Sequence, residues 1–195
     1  MFPFFMWAAE PLVPALPAMP TTPSVLFAPT AEGSADLLFR QAKNLRYSQR
    51  WYEAAALYRQ ILREHPTYSR LPEVRFWLAS TLESDQRWDS AADAYTEFLS
   101  LHPDQRMLGR EAKLNRIHCW GLRQGQSLQA TPGLISAMGD PSDEVQVAAA
   151  LQLSKSGDRR AVEALQKGLK TASYSESCRL ALLGMGVEPK SAAST

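Results

Sequence analysis

The side chains best suited to chemistry in this 195-residue chain are three histidines and two cysteines, and their spacing favours structural roles. His65 and His102 each precede a proline, a place where a histidine suits the carbonyl end of a helix. His118 adjoins Cys119, but the metal-binding spacings Cys-x-x-Cys and His-x-x-x-His do not accompany the pair. No nucleophile stands with a base and an orienting group, and no glycine-rich phosphate loop is present. The sequence therefore predicts no catalytic residue, no metal site and no cofactor.

The two cysteines, Cys119 and Cys178, each lie within an apolar pattern of helical spacing. A buried free thiol is the interpretation that this pattern favours. A disulfide between them stays open, because it depends on whether their Cβ atoms come within about 4 Å of each other.

Charge is balanced over the whole chain and uneven along it. The net charge of +1 excludes nothing by itself, but a sequence pI of about 7.8 argues against nucleic-acid binding, which normally shows a basic stripe and a pI above about 9. Residues 35–70 carry seven basic and three acidic side chains, whereas residues 71–104 carry two basic and seven acidic ones. Such bands either stabilise neighbouring elements or orient a polarised partner.

The predicted helices that must position these side chains form a repeat in the sequence. Apolar residues spaced three and four apart predict helices at residues 35–47, 50–64, 71–82 and 88–101. Each pair of helices ends at a His-Pro dipeptide, because proline does not continue a helix. The second pair repeats the first at an offset of 37 residues, which is typical of stacked helical hairpins. The recurring pairs are Ala42 and Ala79, Ala54 and Ala91, Tyr58 and Tyr95, Leu62 and Leu99, and Pro66 and Pro103.

These two units resemble tetratricopeptide repeats. The family's helix-packing positions fall on Ala42, Ala54, Tyr58 and Pro66 and on their partners 37 residues later. Each unit is about three residues longer than the usual 34, with the extra residues after His-Pro. This is similar to long-turn repeats of bacterial envelope assembly and cell-division accessory proteins. Residues 106–121 and 127–138 predict a third hairpin, either degenerate or capping.

Beyond residue 127 the pattern resembles short HEAT-like repeats, about two units long. A Gly-Asp dipeptide occurs twice in this part of the chain, at Gly139-Asp140 and Gly157-Asp158. We expect these two glycines and Gly186 to end helices in the left-handed conformation, and the aspartates to start the next turns. The predicted fold class is all-α: an α-solenoid of antiparallel helical hairpins, tetratricopeptide-like at residues 34–126 and HEAT-like at 127–187. Whether it is one right-handed superhelix or two bodies hinged near residues 124–132 stays open.

The two ends of the chain differ from the rest. Residues 1–33 are rich in proline and contain only two charged residues, Glu10 and Glu32. Their apolar run at residues 2–9 is too short to cross a membrane. We interpret this segment as an apolar extension or an incomplete signal segment; the alternatives are a disordered leader or a start placed too late. Export to the periplasm is favoured over a cytoplasmic location, because exposed Phe, Met and Trp are costly. Residues 188–195 are predicted to be a disordered tail.

The resemblance to tetratricopeptide repeats also implies a binding surface, because in that family the first helix of each pair lines the concave face. Aromatic, basic and acidic groups together suit a peptide or a partner helix better than a phosphate. The clamp for chaperone C-terminal carboxylates needs Asn where Lys43 and Trp77 stand, so that use is not expected. The residues that the family assigns to the groove are Phe39, Lys43, Arg46, Tyr47, Phe76, Ser80 and Glu83, although packing between helices explains the two phenylalanines equally well.

The resemblance therefore implies a non-catalytic scaffold or adaptor that binds another protein or peptide, in bacterial envelope assembly. The alternative is a structural subunit of a larger or self-associating complex, marked by a large apolar patch. An enzyme or a chromophore-lyase-like accessory is suggested by the HEAT-like repeats alone, and it would need a titratable cluster. We expect neither a nucleic-acid partner nor an integral membrane span, and the oligomeric state stays open.

Overall fold

The computed structural model describes residues 30–190, which form nine α-helices and no strand. A short 3₁₀ turn, Arg159–Ala161, precedes the eighth helix. The all-α prediction is thus confirmed. The helices are α1 (Ala31–Tyr47), α2 (Trp51–Glu64), α3 (Leu71–Ser84), α4 (Trp88–Leu101), α5 (Arg106–Leu122), α6 (Ala130–Ala137), α7 (Asp143–Ser154), α8 (Val162–Gly168) and α9 (Ala172–Gly184).

The helices stack as a solenoid. Each helix packs on the next from α1 to α9, and α3, α5, α7 and α9 also contact one another in order. Consecutive helices therefore form hairpins, and the first helices of successive hairpins lie side by side. The predicted architecture of stacked helical hairpins is confirmed.

The repeated residues explain how the two helices pack together in each of the first two hairpins. Small residues stand where the helices approach closely, and a tyrosine fills the space beyond them. The repeat-related residues that are fully buried are Ala42, Ala54, Tyr58, Ala79, Ala91 and Tyr95. The agreement extends to the backbone, since Gln49 and Gln86 both turn the chain with φ of 58°. The amide of Arg50 then donates to the carbonyl of Leu45 at 2.9 Å, the closing bond of a helix C-terminus.

The apolar core runs through the stack without a break. One cluster joins α1, α2 and α3, a second joins α3, α4 and α5, and a third extends from α5 to α9. Trp77 and Leu78 pack against the first two clusters, and Trp120 packs against the second and third. The described residues therefore form one continuous solenoid.

Two of the three predicted glycine positions are confirmed. Gly157 and Gly186 follow α7 and α9 with φ of 73° and 68°. The prediction for Gly139 is wrong, because its φ lies outside the left-handed region. The end of α6 tightens instead through i→i+3 bonds, and the Oδ1 of Asp140 then accepts from the amide of Ser142 at 2.9 Å.

The first helix begins earlier than expected, within the segment predicted as an extension. Thr30 caps α1, because its hydroxyl accepts from the amide of Gly33 at 3.1 Å. The rest of that segment, with its predicted signal character, lies outside the described residues, as does the tail beyond Lys190. Residues 188–190 are tied to α8, since the amide of Lys190 donates to Gln166 Oε1 at 2.9 Å. None of the helices in residues 30–190 has the length and apolarity that crossing a membrane requires.

Candidate functional site

The side chains with the most reactive chemistry are placed in the core. Cys119 and Cys178 are free, fully buried and located in different core clusters. Burial raises the pKa of the Cys119 thiol to about 12 and raises that of Cys178 as well. Thiols held in this protonated form are poor nucleophiles. Across residues 30–190, no three His, Cys, Asp or Glu side chains come together in a way that could hold a metal ion.

Two histidines pack against aromatic rings. His102 lies 5.6 Å from the ring of Phe98, and burial lowers its pKa below the ordinary value. The nearby Arg75 charge lowers the pKa of His102 as well, and the Asp104 carboxylate opposes the shift. His118 meets Trp88 edge to face at 6.2 Å. Both contacts are packing contacts.

A groove opens where the C-terminal part of α1 meets α3. Its cavity of about 350 Å³ is lined by Lys43, Arg46, Tyr47, Trp51 and Trp77, and we call it the α1–α3 groove. The Arg46 guanidinium lies over the Trp77 ring at 4.4 Å. The groove therefore unites three of the side chains that the sequence predicted, Lys43, Arg46 and Tyr47, with two indoles.

Arg46 also connects the groove to a fourth predicted residue. Its Nη2 donates to the hydroxyl of Ser80 on α3 at 3.0 Å. Tyr47 is the most accessible member of the groove, with 82% of its surface exposed, and the other four members are half-buried. The nine ion pairs within residues 30–190 include neither Lys43 nor Arg46.

Phe39 and Phe76 lie behind the groove and not on its surface. Each is only 1% exposed. Phe39 packs edge to face on Tyr58 at 5.9 Å, and Phe76 packs in the same way on Tyr95 at 6.0 Å. The prediction that these two phenylalanines line the concave face is therefore corrected: a molecule in the groove would not contact them.

The long turn after His65-Pro66 is what covers Phe39. Tyr68 from this turn packs edge to face on the Phe39 ring, and its hydroxyl donates to the carboxylate of Asp36. Arg70, at the end of the same turn, lies over the Phe39 ring at 4.4 Å. Burial, helped by the Asp36 carboxylate, raises the pKa of Tyr68 to about 12. The turn thus covers Phe39, one of the residues that the resemblance to the family assigned to the groove.

Glu83, the last predicted groove residue, belongs to a hydrogen-bond network. The hydroxyl of Tyr95 donates to Glu83 Oε2 at 2.7 Å, and Asn115 donates to the same hydroxyl at 3.0 Å. Burial and the Glu83 charge together raise the pKa of Tyr95. The Glu83 carboxylate therefore takes part in the hydrogen bonds that connect α3, α4 and α5.

Arg46 and Glu83 stand at the same repeat position, 37 residues apart. The charge of each one affects the pKa of the buried tyrosine in its own unit. In the second unit the acid and its tyrosine are bonded to each other. In the first unit, Arg46 Nε and the Tyr58 hydroxyl are both buried without a hydrogen-bond partner among residues 30–190. Burial raises the pKa of Tyr58 to about 12, although the Arg46 charge opposes the shift. The first unit thus places a cation whose Nε has no partner where the second places a hydrogen-bonded carboxylate.

Sequence reasoning missed Trp51 as a groove residue. A signal was available, because Trp51 recurs as Trp88 at the first position of the second helix in the next unit. Trp77 was noticed only because it departs from the chaperone-clamp pattern.

A second opening lies between α5 and α7 and encloses about 440 Å³. Two of its cations are already neutralised: Arg110 pairs with Glu144 at 2.6 Å, and Lys113 pairs with Asp140 at 2.7 Å. The α1–α3 groove is the better candidate for binding, because it combines its two cations with a tyrosine and two indoles, residue types that do not line the second opening.

Comparison with known families divides the chain into two parts. Residues 36–68 and 73–104 match the model of the tetratricopeptide repeat, and residues 105–184 match the model of HEAT repeats. The HEAT match includes the hairpin of α5 and α6, so it starts at residue 105 where the sequence predicted a boundary near 127. The comparison with curated proteins and the comparison with solved structures gave no match. Repeats of both families are generally scaffolds for protein–protein interaction.

Proposed function

We propose that this chain, which carries two tetratricopeptide repeats at residues 36–104 and HEAT repeats at residues 105–184, is a non-catalytic scaffold that holds a partner protein in its α1–α3 groove. Both kinds of repeat generally serve protein interaction. A stacked helical array presents an extended surface and needs no chemistry of its own to act.

The observation that carries the proposal is the composition of the groove. Tyr47 is 82% exposed beside two half-buried indoles and two cations. Tyr, Trp and Arg are the residue types that most often supply binding energy at protein interfaces. The cavity is the size of a small ligand pocket, so it accepts one or two side chains of a partner segment.

A matched pair of tyrosine variants tests the proposal. The tagged full chain and its Tyr47→Ala variant are expressed in the native host, and the proteins that co-purify are quantified by mass spectrometry. The control is Tyr52→Ala, since Tyr52 is 73% exposed at the start of α2 but does not line the groove. We expect Tyr47→Ala to lose a specific partner by about tenfold, as for a binding hot spot, and Tyr52→Ala to keep it. Equal recovery of every partner by both variants would contradict the groove assignment.

One observation favours a second candidate, a structural subunit that assembles with copies of itself. Helix α9 leaves Leu180 and Leu183 about half exposed at the end of the stack, at 57% and 49%. Terminal repeats of solenoids normally present a polar outer face. Sedimentation velocity over a range of concentrations distinguishes the two functions. A dimer that dissociates in the Leu180→Ser, Leu183→Ser variant would favour self-assembly over the scaffold proposal.

The location of this activity is a further part of the proposal. The long turns of the repeats resemble those of bacterial envelope proteins, and the apolar segment at residues 1–33 supports export. Fractionation of cells that carry a C-terminally tagged chain tests this part. Recovery of the protein and its partner in the periplasmic fraction is expected, and recovery in the cytosol alone would contradict it.

A further inference from the structure

We infer that the partner segment held in the α1–α3 groove carries a carboxylate next to an aromatic or large apolar side chain. This inference rests on the proposed function, because it specifies the ligand of the same groove. Two features of the groove support it: the electrostatic state of Arg46, and the arrangement of the three aromatic rings.

Arg46 has no compensating anion among residues 30–190. Its Nη2 is bonded to a neutral hydroxyl, that of Ser80, and its Nε is buried without a partner. Buried or partly buried charges in proteins are normally paired, because removing a charge from water is costly. Lys43 lies in the same groove and likewise forms no ion pair with residues 30–190. A carboxylate that approaches these two cations from solvent would supply the missing charge.

The second repeat serves as an internal comparison. At the position equivalent to Arg46 it places Glu83, which is bonded to Tyr95 within the chain. The second unit therefore satisfies this position within the chain, whereas the first leaves Arg46 Nε without a partner among residues 30–190. The groove offers two cations beside three aromatic rings, so the favoured ligand carries a localised carboxylate and not an acidic run.

The aromatic rings define the neighbour of that carboxylate. Tyr47, Trp51 and Trp77 line the opening together with the two cations. Arg46 lies over the Trp77 ring, so the cation and the apolar wall are in direct contact. A segment whose carboxylate reaches Arg46 therefore places its adjacent side chain against the rings, where aromatic and large apolar groups pack well.

A peptide selection tests the inference. A random heptapeptide library displayed on phage is selected against the full chain, and binding of the selected peptides is measured by the change in tryptophan fluorescence. We expect enrichment of Asp or Glu beside Phe, Tyr, Trp or Leu, with binding that weakens as salt rises. The variant Lys43→Gln, Arg46→Gln is expected to bind these peptides about tenfold more weakly.

The matched control is Arg40→Gln, Arg63→Gln, which removes the same charge from exposed positions on α1 and α2 outside the groove. It is expected to bind the selected peptides like the wild type. Circular dichroism checks the fold of each variant. If the double variant does not fold, Lys43→Gln alone, together with amide in place of carboxylate in the peptide, provides the same comparison.

The experiments distinguish a wrong ligand chemistry from a wrong binding site. Peptides that need Tyr47 but show no acidic preference, or that bind the Lys43→Gln, Arg46→Gln variant unchanged, overturn the inference and leave the groove as a protein-binding site. Peptides that bind the Tyr47→Ala variant as well as the wild type, or a selection that enriches nothing, overturn both.

Discussion

Tyr58 and Tyr95 are 37 residues apart and fully buried, yet their hydroxyl groups meet different surroundings. The Tyr95 hydroxyl is bonded to Glu83 and Asn115, whereas that of Tyr58 has no hydrogen-bond partner in the described part of the chain. A buried polar atom without a partner keeps its full desolvation cost, while a satisfied one recovers that cost. The same residue in the same fold position therefore contributes differently to the two units.

Removing each hydroxyl should separate these contributions. Tyr95→Phe leaves the Glu83 carboxylate without its donor, and we expect it to lower the free energy of unfolding by about 1–3 kcal/mol. Tyr58→Phe removes an unsatisfied group, so we expect a change within about 0.5 kcal/mol, or a small gain. Urea unfolding at pH 7, with the denaturant slope compared between variants, measures both. Losses of equal size would show that the Tyr58 hydroxyl is satisfied in solution.

At the scale of the element, α8 and α9 approach as closely as they do because residue 168 is a glycine. A Cβ on Gly168 would lie 2.6 Å from the Sγ of Cys178 and 2.9 Å from a methyl carbon of Val147. Both neighbours are buried, on α9 and α7 respectively, so neither has free space into which it could move. The glycine thus sets the distance between three helices of the HEAT region.

Gly168→Ala should overpack this contact and cost about 1–3 kcal/mol. Gly184→Ala is the matched control, because nothing lies within 4 Å of a Cβ there; in a helix, alanine is favoured over glycine by up to about 1 kcal/mol. Thermal and urea unfolding of both variants provide the comparison. In the Gly168→Ala, Cys178→Ala double variant we expect a loss smaller than the sum of the single losses, since the clashing sulfur is gone. Strict additivity would mean that the Gly168 contact is not what limits the packing.

The elements themselves could be predicted because their signals are local. Helical spacing and the His-Pro dipeptides placed α2, α3 and α4 close to their observed bounds. The cover over Phe39 could not be predicted, because it depends on a contact with Tyr68, 29 residues away, that no periodicity records. In the groove, Lys43 and Arg46 followed from the resemblance to the family, whereas Trp51 lies outside the helix that the family assigns to ligands.

At the scale of the whole molecule, the α3–α5 cluster, which the two kinds of repeat share, meets the α5–α9 cluster at Trp120. Of the described residues, Trp120 alone packs against both the α3–α5 cluster and the α5–α9 cluster. Gly133 lies against its ring, where a Cβ would come within 2.7 Å, and Arg116 stacks on the ring at 4.6 Å. In a solenoid, cooperativity depends on such interfaces between neighbours. The tetratricopeptide and HEAT regions of the wild type should therefore unfold in a single transition.

Trp120→Ala should break that coupling as well as lower stability. Truncating a packed tryptophan costs about 3–5 kcal/mol, and here the loss falls on the shared interface. Native-state hydrogen exchange is expected to show one opening free energy for the core amides of α1–α4 and α6–α9 in the wild type, and two distinct values in the variant. Trp88→Ala is the control, because Trp88 is half-buried in the α3–α5 cluster alone and should lower both values together. Two transitions already present in the wild type, or a single one retained in Trp120→Ala, would show that the extensive contact between α4 and α5 carries the coupling instead.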